Sequence, residues 1–346
     1  MDESFGSWSV LTTNFLFVLY LGLCGITLSS LLHLVNGKWR FQVRHLACSF
    51  AVLLPIAGVL LLILLANGEA TFPWLANAHD GEHHLSGWHN YTFLVVREIG
   101  AFLAICLLCG LFIKYQHQSE IDSSYKAQRR FRNIALLIPF AYFSYGSMVA
   151  WDFEMTMMPG WHSASYAAYH FQSNFHMFLA FFTIFLFFTY RAGVLTKPFE
   201  NHIFNFLAQF MLGMTILWTY LFFTQYLIMW YGRLPGEMIR YDNMMLEGFS
   251  ALWWTFLVFK FVIPFLTFIF TASRHNPVVI VTVACFIVVG TWIERYVWIA
   301  GSTNVENYHI PMTSLRDIAI TVAVVVISWF AVKMTLNRYG LIKSPS

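Results

Sequence analysis

Nine apolar segments, each long enough to cross a lipid bilayer as a helix, dominate this 346-residue chain. A membrane-spanning helix needs about 20 predominantly apolar residues. The predicted spans cover, in chain order, about 11–34, 46–66, 92–114, 133–152, 169–190, 202–230, 245–272, 277–300 and 314–336. The longest connections, 67–91 and 115–132, leave no room for a sizeable soluble domain. We therefore predict one all-α polytopic membrane domain over residues 1–346.

The composition agrees with a membrane protein and excludes several other classes. Hydrophobic residues make up 58% of the chain and charged residues only 11%, against roughly a quarter charged in soluble domains. The net charge of +3 is too small to indicate a nucleic-acid-binding protein. No CxxCH motif and no iron–sulfur spacing occurs, so the chain is not expected to hold a c-type haem or a cluster. The five cysteines all lie in apolar segments and indicate no disulfide framework. The start, MDESFGSW, lacks a basic n-region, so the first segment is expected to remain as a span.

Lysines and arginines are distributed unevenly between the two sets of connections. Fourteen of the 20 lie in or beside alternate connections and the C-terminal tail, three lie in the other connections, and three lie inside spans. Cytoplasmic loops carry the excess of basic residues in membrane proteins. The distribution predicts an N-terminus outside and a C-terminus inside.

Ionisable residues inside the predicted spans gather in the outer third of the membrane. Such residues are costly in lipid and mark functional sites by default. Lys260 is the exception, about 20 Å inward of Glu247 at about 1.5 Å per helical residue. The outer group comprises Arg97, Glu98, Asp152, Glu154, His170, Glu294 and Arg295, with Glu247 and Asp317 at the outer ends of their spans.

Two pairs of adjacent charged residues, Arg97–Glu98 and Glu294–Arg295, predict contacts between helices. Adjacent side chains point about 100° apart on a helix, so we expect each to find its partner on another span. Arg97 with Glu294, or Arg295 with Glu98, are the expected pairs. A purely structural ion-pair network is the alternative interpretation.

The loop between the fourth and fifth spans carries the residues most suited to proton transfer from a quinol. Asp152, Glu154 and His162 are the predicted catalytic residues, because carboxylates and imidazoles accept protons from a ring hydroxyl. Trp151 and Trp161 are expected to contact the quinone ring, although both also suit an interfacial aromatic belt. This interpretation requires a cavity bordered by Asp152 and His162.

Two alternatives involving bound metal or haem receive less support. The connection 77–89 reads NAHDGEHHLSGWH, whose four histidines match no established metal-site spacing. A bis-histidine haem needs histidines on facing helices at similar depth. His33 and His202 lie at inner ends, while His170 and His176 share one helix. We therefore predict no metal site.

Five segments, in this order, resemble the NrfD/polysulfide-reductase family of membrane subunits. They are HLVNGKWRFQVRH (33–45), YTFLVVREIGAFL (91–103), WDFEMTMMPGWHSASYAAY (151–169), FFTQYLIMWYGRLPGE (222–237) and VGTWIERYVW (289–298). Together they look most like the ActF-like quinone-binding subunit of alternative complex III, a quinol:cytochrome c oxidoreductase. The resemblance covers roughly residues 30–335.

The resemblance implies two four-helix bundles plus a flanking helix in the bacterial inner membrane. It implies no covalently bound cofactor, with menaquinol or ubiquinol as substrate. The implied partners are lipids, a periplasmic iron–sulfur/molybdopterin-like subunit, multihaem c-type cytochromes and a second homologous membrane subunit. Family members usually carry one further span ahead of the first one here.

By position, the resemblance also implies roles for individual residues. Asp152 and His162 match the family's outer-loop acidic residue and histidine. Arg97, Glu294 and Arg295 fall where family members place buried polar residues. Together with the residues singled out above, the predicted quinone-binding set is Trp151, Trp161, Arg97, Glu98, His170, Glu294 and Arg295.

Two hypotheses about function follow. In the first, the chain binds and oxidises quinol at the outer side and passes electrons to partner subunits. In the second, it is a scaffold and proton path that binds no quinone, and Glu247, Lys260, Asp317 and Glu98 matter more. A secondary transporter would show an internal repeat of broken helices near mid-membrane, a pattern that the sequence does not show.

Overall fold

The computed structural model describes residues 3–77, 87–197, 199–232, 235–246, 248–301 and 309–343. Helix makes up 83% of the chain, and these residues form no β-strand, which confirms the predicted all-α class. The physical reason is that a backbone crossing lipid must satisfy every N–H and C=O internally, as a helix does.

Fifteen α-helices and three irregular turns lie in the described ranges. The first seven helices are α1 (Glu3–Leu34), α2 (Arg40–Ser49), α3 (Leu54–Ala66), α4 (Gly68–Thr71), α5 (Pro73–Asn77), α6 (Tyr91–Ile121) and α7 (Tyr125–Ala150). The others are α8 (Tyr166–Arg191), α9 (His202–Tyr231), α10 (Pro235–Met245), α11 (Ser250–Leu257), α12 (Ile263–Phe268), α13 (Thr271–Arg274), α14 (Pro277–Ala300) and α15 (Leu315–Arg338). A 3₁₀ turn (Phe50–Leu53) joins α2 to α3, and π turns follow α7 (Trp151–Met155) and join α11 to α12 (Val258–Val262).

Nine helical runs in the described part of the chain are long and apolar enough to cross a membrane, which confirms the predicted number of spans. They are α1, α2 with α3, α6, α7 with its π turn, α8, α9, α11 with α12, α14 and α15. Nine such runs indicate a multi-pass membrane protein.

The connection predicted over 115–132 is almost entirely helical. Only three residues, 122–124, separate α6 from α7, because exposed charged residues continue both helices beyond their apolar stretches. Ser124 caps α7 by accepting a hydrogen bond from the N–H of Ala127. Asp122 accepts bonds from the N–H and hydroxyl of Ser124, which lower the pKa of the Asp122 carboxyl.

The stretch after α9 contains a helix that the sequence interpretation missed. Gly232 follows the last residue of α9, and Pro235 begins α10 within the stretch 231–244 that was predicted to be a connection. Proline suits the first turn of a helix, where its missing N–H would have no intrahelical partner. The predicted seventh span, 245–272, is correspondingly shorter and covers Ser250–Phe268.

Helices α1 and α8 form the centre of the molecule. Their most apolar stretches are 89% and 78% buried, against 11% for α15. Helix α1 packs against α2, α3, α7, α8, α14 and α15, and α8 packs against α7, α9 and α14. Polar side chains on α8 are therefore shielded from lipid by protein on several sides.

Contacts between segments distant in sequence define one end of the molecule, which we call the basic end. Arg44 near the start of α2 forms an ion pair of 2.9 Å with Glu120 near the end of α6. The N–H of Lys343, after α15, donates to the carbonyl of Val194, after α8 (2.7 Å). The end of α7 and the start of α8 lie at the opposite end.

Candidate functional site

The π turn after α7 directs two buried carboxylates into different groups of side chains. Asp152 and Glu154 are both fully buried. Residues two apart on a helix point in nearly opposite directions, so one carboxylate faces α6 while the other faces α8 and α14. Single π turns inside helices frequently occur at functional sites.

Asp152 is held by Arg97 and Trp88. The guanidinium of Arg97 donates from Nε to Oδ2 (2.8 Å) and from Nη2 to Oδ1 (2.5 Å). The indole N–H of Trp88 donates to Oδ1 (2.7 Å), and Arg97 also lies 4.1 Å over the Trp88 ring. A bidentate pair of this kind fixes geometry as well as charge.

Glu98 lies beside this pair, and its fully buried carboxyl group interacts directly with Asp152. The hydroxyl of Tyr145 is buried without a hydrogen-bond partner among the described residues. Electrostatic interactions connect Glu98 with Asp152, Tyr145 and Tyr20. Tyr20 also contacts His170, which belongs to a second group of side chains around Glu154. Glu98 therefore lies between the Arg97–Asp152 pair and this second group.

Glu154 is the centre of a second group. Its carboxylate accepts hydrogen bonds from Nη1 of Arg295 (2.9 and 2.7 Å) and from the hydroxyl of Tyr166 (2.6 Å). His170 lies 2.7 Å from Glu154 through Nδ1 and 2.8 Å from the Tyr20 hydroxyl through Nε2. All five side chains are fully buried.

Glu294 extends this group towards Lys260. The ammonium of Lys260 donates to Glu294 and to the hydroxyl of Ser173, which itself donates to Glu294 (2.7 Å). Nη2 of Arg295 lies 3.1 Å from Oε1 of Glu294 and so joins the two carboxylates. Glu294 also accepts hydrogen bonds from Tyr169 and Trp218. We call the set Tyr20, Glu154, Tyr166, Tyr169, His170, Ser173, Lys260, Glu294 and Arg295 the buried network.

The expected charge pairs were wrong. Arg97 pairs with Asp152 instead of Glu294, and Arg295 pairs with Glu154 instead of Glu98. The adjacent residues Glu294 and Arg295 also contact each other, which the 100° argument did not predict. A long, bent arginine side chain can reach its own neighbour as well as the next helix.

Arg240 is a buried residue that the sequence interpretation assigned to a connection. It lies on α10, and its Nη2 donates to the carbonyls of Glu154 (2.7 Å) and Trp298 (2.8 Å). Its guanidinium lies 4.5 Å from the Trp161 ring. Burial, the largest cause, lowers the pKa of the Arg240 guanidinium from its ordinary value. The proline-led polar stretch at 235–245 was the available signal for this helix.

His162 and the two predicted ring-contacting tryptophans lie in different surroundings. His162 is exposed, with Nδ1 2.9 Å from the carbonyl of Gly160. Trp151 packs edge-on against Trp88, while Trp161 is buried against Tyr166, Tyr241 and Trp298. The structure therefore places the two indoles in separate aromatic groups.

His89 adds a histidine beside the Asp152 pair. Burial, the largest cause, lowers the pKa of His89 from its usual 6.5, and the charges of Arg97 and His162 lower it further. A hydrogen bond with the backbone of Thr156 and the charge of Asp152 act in the opposite direction. A histidine with a lowered pKa is neutral near pH 7 and is a weaker base than an exposed imidazole.

The remaining predicted residues divide between a separate group and positions outside the structure. Asp317 is buried and accepts hydrogen bonds from Ser7 (2.7 Å) and His309 (2.6 Å), apart from the buried network. Glu247 lies outside the described residues, as do the histidines of the 78–86 stretch. Among the described residues no cluster of three or more potential metal ligands occurs.

Neither of the two best-defined cavities on the described surface is lined by Asp152 or His162. One of about 960 Å³ lies at the basic end. The other, of about 250 Å³, lies between the start of α9 and the chain around Arg274. The side chains around Asp152 and Glu154 are instead packed directly against one another.

No protein-family model matches the chain. No curated protein matches it either.

Proposed function

We propose that this chain is a membrane subunit of a respiratory quinol:acceptor oxidoreductase of the NrfD-like type, and that its buried network carries protons. The observation behind this proposal is that two carboxylates, two cations and a histidine, all fully buried, join in one hydrogen-bonded group. Ionisable groups kept inside a membrane protein at such cost typically form proton relays.

The proposed route begins near Asp152 and ends near the middle of the bilayer. From Asp152 it passes Glu98 and Tyr20 to His170, and then through Glu154 to Glu294 and Lys260. Arg295 remains protonated and holds the two carboxylates close together. Beyond this point lies His176, which is buried and 3.3 Å from the hydroxyl of Thr215. Nearer the basic end, α8 carries the apolar side chains Phe178, Phe182 and Phe185. The route is therefore proposed to open towards the end opposite the basic end.

The orientation and the partners belong to the same proposal. The excess of Lys and Arg supports a cytoplasmic basic end in a bacterial inner membrane, so that Asp152 lies on the periplasmic side. The ordered motifs support an NrfD-like arrangement of two four-helix bundles with a flanking helix. They also support assembly with an iron–sulfur/molybdopterin-like subunit, multihaem cytochromes and a homologous membrane subunit.

The test measures quinol turnover and proton movement separately in the purified complex reconstituted into liposomes. Lys260→Met removes the cation next to Glu294 and is expected to reduce proton movement per turnover while leaving quinol affinity unchanged. Lys333→Met, at an exposed position near the end of α15, is the matched control and should leave both unchanged.

A structural role for Lys260 predicts a different outcome. If Lys260→Met and Ser173→Ala complexes assemble normally and still move protons as the unmodified complex does, the proton-path proposal is wrong. Lys260→Arg retains the charge and shows whether any loss comes from misassembly of the complex.

A second candidate is quinol oxidation by this chain at the Asp152 end. The observation that favours it is the Asp152 carboxylate, which Arg97 and Trp88 hold at the end of α7 near His89. A quinol releases two protons as it loses two electrons, and carboxylates and imidazoles are groups that accept such protons. Asp152→Asn and His162→Ala should then reduce quinol binding and turnover. Asp122→Asn, at the exposed basic end, is the control. Unchanged turnover and binding in both variants would exclude this candidate and leave the proton path standing.

A further inference from the structure

The largest cavity described above lies at the basic end and has no part in the proton path. Its volume of about 960 Å³ is at the upper end of typical small-molecule sites, about 300–1,000 Å³. The start of α2, the end of α6, residues 195–197 and the chain that follows α15 form its walls. Hydrogen bonds from Thr196 to the carbonyls of Leu341 and Gly340 hold two of these walls together.

The described lining of this cavity is strongly basic. It contains no acidic residue and five basic ones, His45, Lys114, His117, Lys197 and Arg338. In the described part of the chain, Lys114, Lys197 and Arg338 form no ion pair with a carboxylate. The nearby Glu120 is already engaged by Arg44 (2.9 Å) and His45 (3.2 Å). Three uncompensated cations around one cavity favour an anionic ligand.

A polar side chain, Gln116, also lines the cavity and is only 3% exposed. Its Oε1 accepts a hydrogen bond from the thiol of Cys48. The amide group of Gln116 also carries two N–H donors, which offer a hydrogen bond to a ligand oxygen in the cavity.

The other walls are apolar, and the cavity lies where membrane spans end. Leu46, Ala51, Val52 and Leu195 line it together with the exposed side chain of Ile113. A cavity with cations at its mouth and apolar walls fits an amphiphile better than a small inorganic anion. The ends of spans lie at the depth of lipid phosphates, because a 20-residue helix only crosses the hydrocarbon core.

We infer that this cavity binds one acidic phospholipid. Lys114, Lys197 and Arg338 contact the phosphate, and the acyl chains lie along Ala51, Val52 and Ile113. Basic pockets between spans on the cytoplasmic side are known to take acidic lipid head groups. A zwitterionic lipid fits less well, because its own cation would lie among three protein cations.

The test uses the full chain in nanodiscs of phosphatidylcholine alone or mixed with phosphatidylglycerol. Lipids retained after transfer to detergent are then identified by native mass spectrometry. We expect one phosphatidylglycerol molecule to be retained per chain. Lys114→Ala or Lys197→Ala alone should reduce the affinity for this lipid about fivefold. The triple variant Lys114→Ala, Lys197→Ala and Arg338→Ala should reduce it by up to about a hundredfold. Ala51→Phe, which fills the apolar part and keeps every charge, should also lose the lipid.

Controls separate this site from general attraction to a basic surface. The triple variant Lys126→Ala, Arg129→Ala and Arg130→Ala removes the same charge from the start of α7, outside the cavity lining, and should retain the lipid. Retention by the cavity variants equal to that of the unmodified chain would overturn the inference. So would equal retention of phosphatidylcholine, or displacement of the lipid by inorganic phosphate at matched concentration.

Discussion

At the scale of the residue, Glu294 shows how a charge is kept inside the membrane. Its carboxylate is fully buried, and its contacts are Lys260, Arg295, Ser173 and the N–H and O–H groups of two aromatic residues. An isolated carboxylate in such surroundings would be neutralised. The charge is tolerated because cations and donors from α8, α9, the α11–α12 π turn and α14 meet at one point.

We expect Glu294→Gln to destabilise the protein by about 3–5 kcal/mol, because it leaves Lys260 buried without its carboxylate. The free energy of unfolding in a detergent titration measures the effect. The double variant with Lys260→Gln should recover part of the loss, with a coupling energy of about 0.5–3 kcal/mol. Glu200→Gln, at an exposed pair with His202, is the control and should change stability by less than about 0.5 kcal/mol. Additive effects of the two substitutions would contradict a direct Lys260–Glu294 interaction.

His89 should make the protein less stable in acid. Its pKa in the folded state is below the usual 6.5, so the unfolded chain binds more protons just below that pH. Protonation of His89 therefore does not reduce the free energy of unfolding above pH 6.5. As the pH falls from 6.5 towards the lowered pKa, this free energy decreases, because protons bind preferentially to the unfolded chain. His89→Gln should reduce the difference in melting temperature between neutral and mildly acidic buffer. His117→Gln, an exposed histidine at the basic end, should leave that difference unchanged, and an equal effect of the two would argue against His89.

At the scale of the element, the two π turns position the buried charges. One carries Asp152 and Glu154, and the other carries Lys260. A π turn adds a residue to the helical turn and so changes the direction of its side chains. Helix α14 approaches the second π turn through Gly290, where an added Cβ would lie 2.8 Å from Cβ of Phe259 and 2.9 Å from Cγ of Lys260. This close approach brings Lys260 within reach of Glu294.

Gly290→Ala is therefore expected to destabilise the protein by about 1–3 kcal/mol, because the new methyl group forces α14 away from the π turn. Thermal unfolding in detergent measures the change. Gly213→Ala is the matched control, since nothing lies within 4 Å of its Cβ. It should be neutral or stabilising by up to about 1 kcal/mol through helix propensity. Equal effects of the two substitutions would contradict the close approach.

At the scale of the whole molecule, the uneven distribution of basic residues predicts the orientation in the membrane. Ser123, between α6 and α7, lies at the basic end, whereas His162 precedes α8 at the opposite end, and both are exposed. The two positions should therefore lie on opposite sides of the bilayer.

A membrane-impermeant maleimide tests this in a chain whose exposed native thiol, Cys285, is replaced by alanine. We expect His162→Cys to react in intact cells and Ser123→Cys to react only after the cells are opened. The Cys285→Ala chain without a new cysteine is the control for background labelling. The reverse pattern would place the basic end outside the cell and reject the orientation.

The sequence alone predicted the nine apolar helical runs found in the described part of the chain. It also predicted the approximate location of the buried charges. Apolar length is a local property, so the number of spans could be read from the chain without knowing its packing. At residues 115–132 the helices α6 and α7 continue into water beyond their apolar stretches. The length of an apolar stretch therefore does not show where such a helix ends. Local patterns also placed Asp152, Glu154, Glu294 and Arg295 near one end of their helices.

Only the tertiary structure decided which of these residues meet. The pairs Arg97–Asp152 and Arg295–Glu154 depend on how α6, α7 with its π turn, and α14 are rotated about their axes. Rotation is set by contacts among many side chains and leaves no local signal in the sequence. The same reason explains why Arg240 is buried beneath Trp161 although it lies in a connection between spans, and why His162 is exposed although its neighbours are packed.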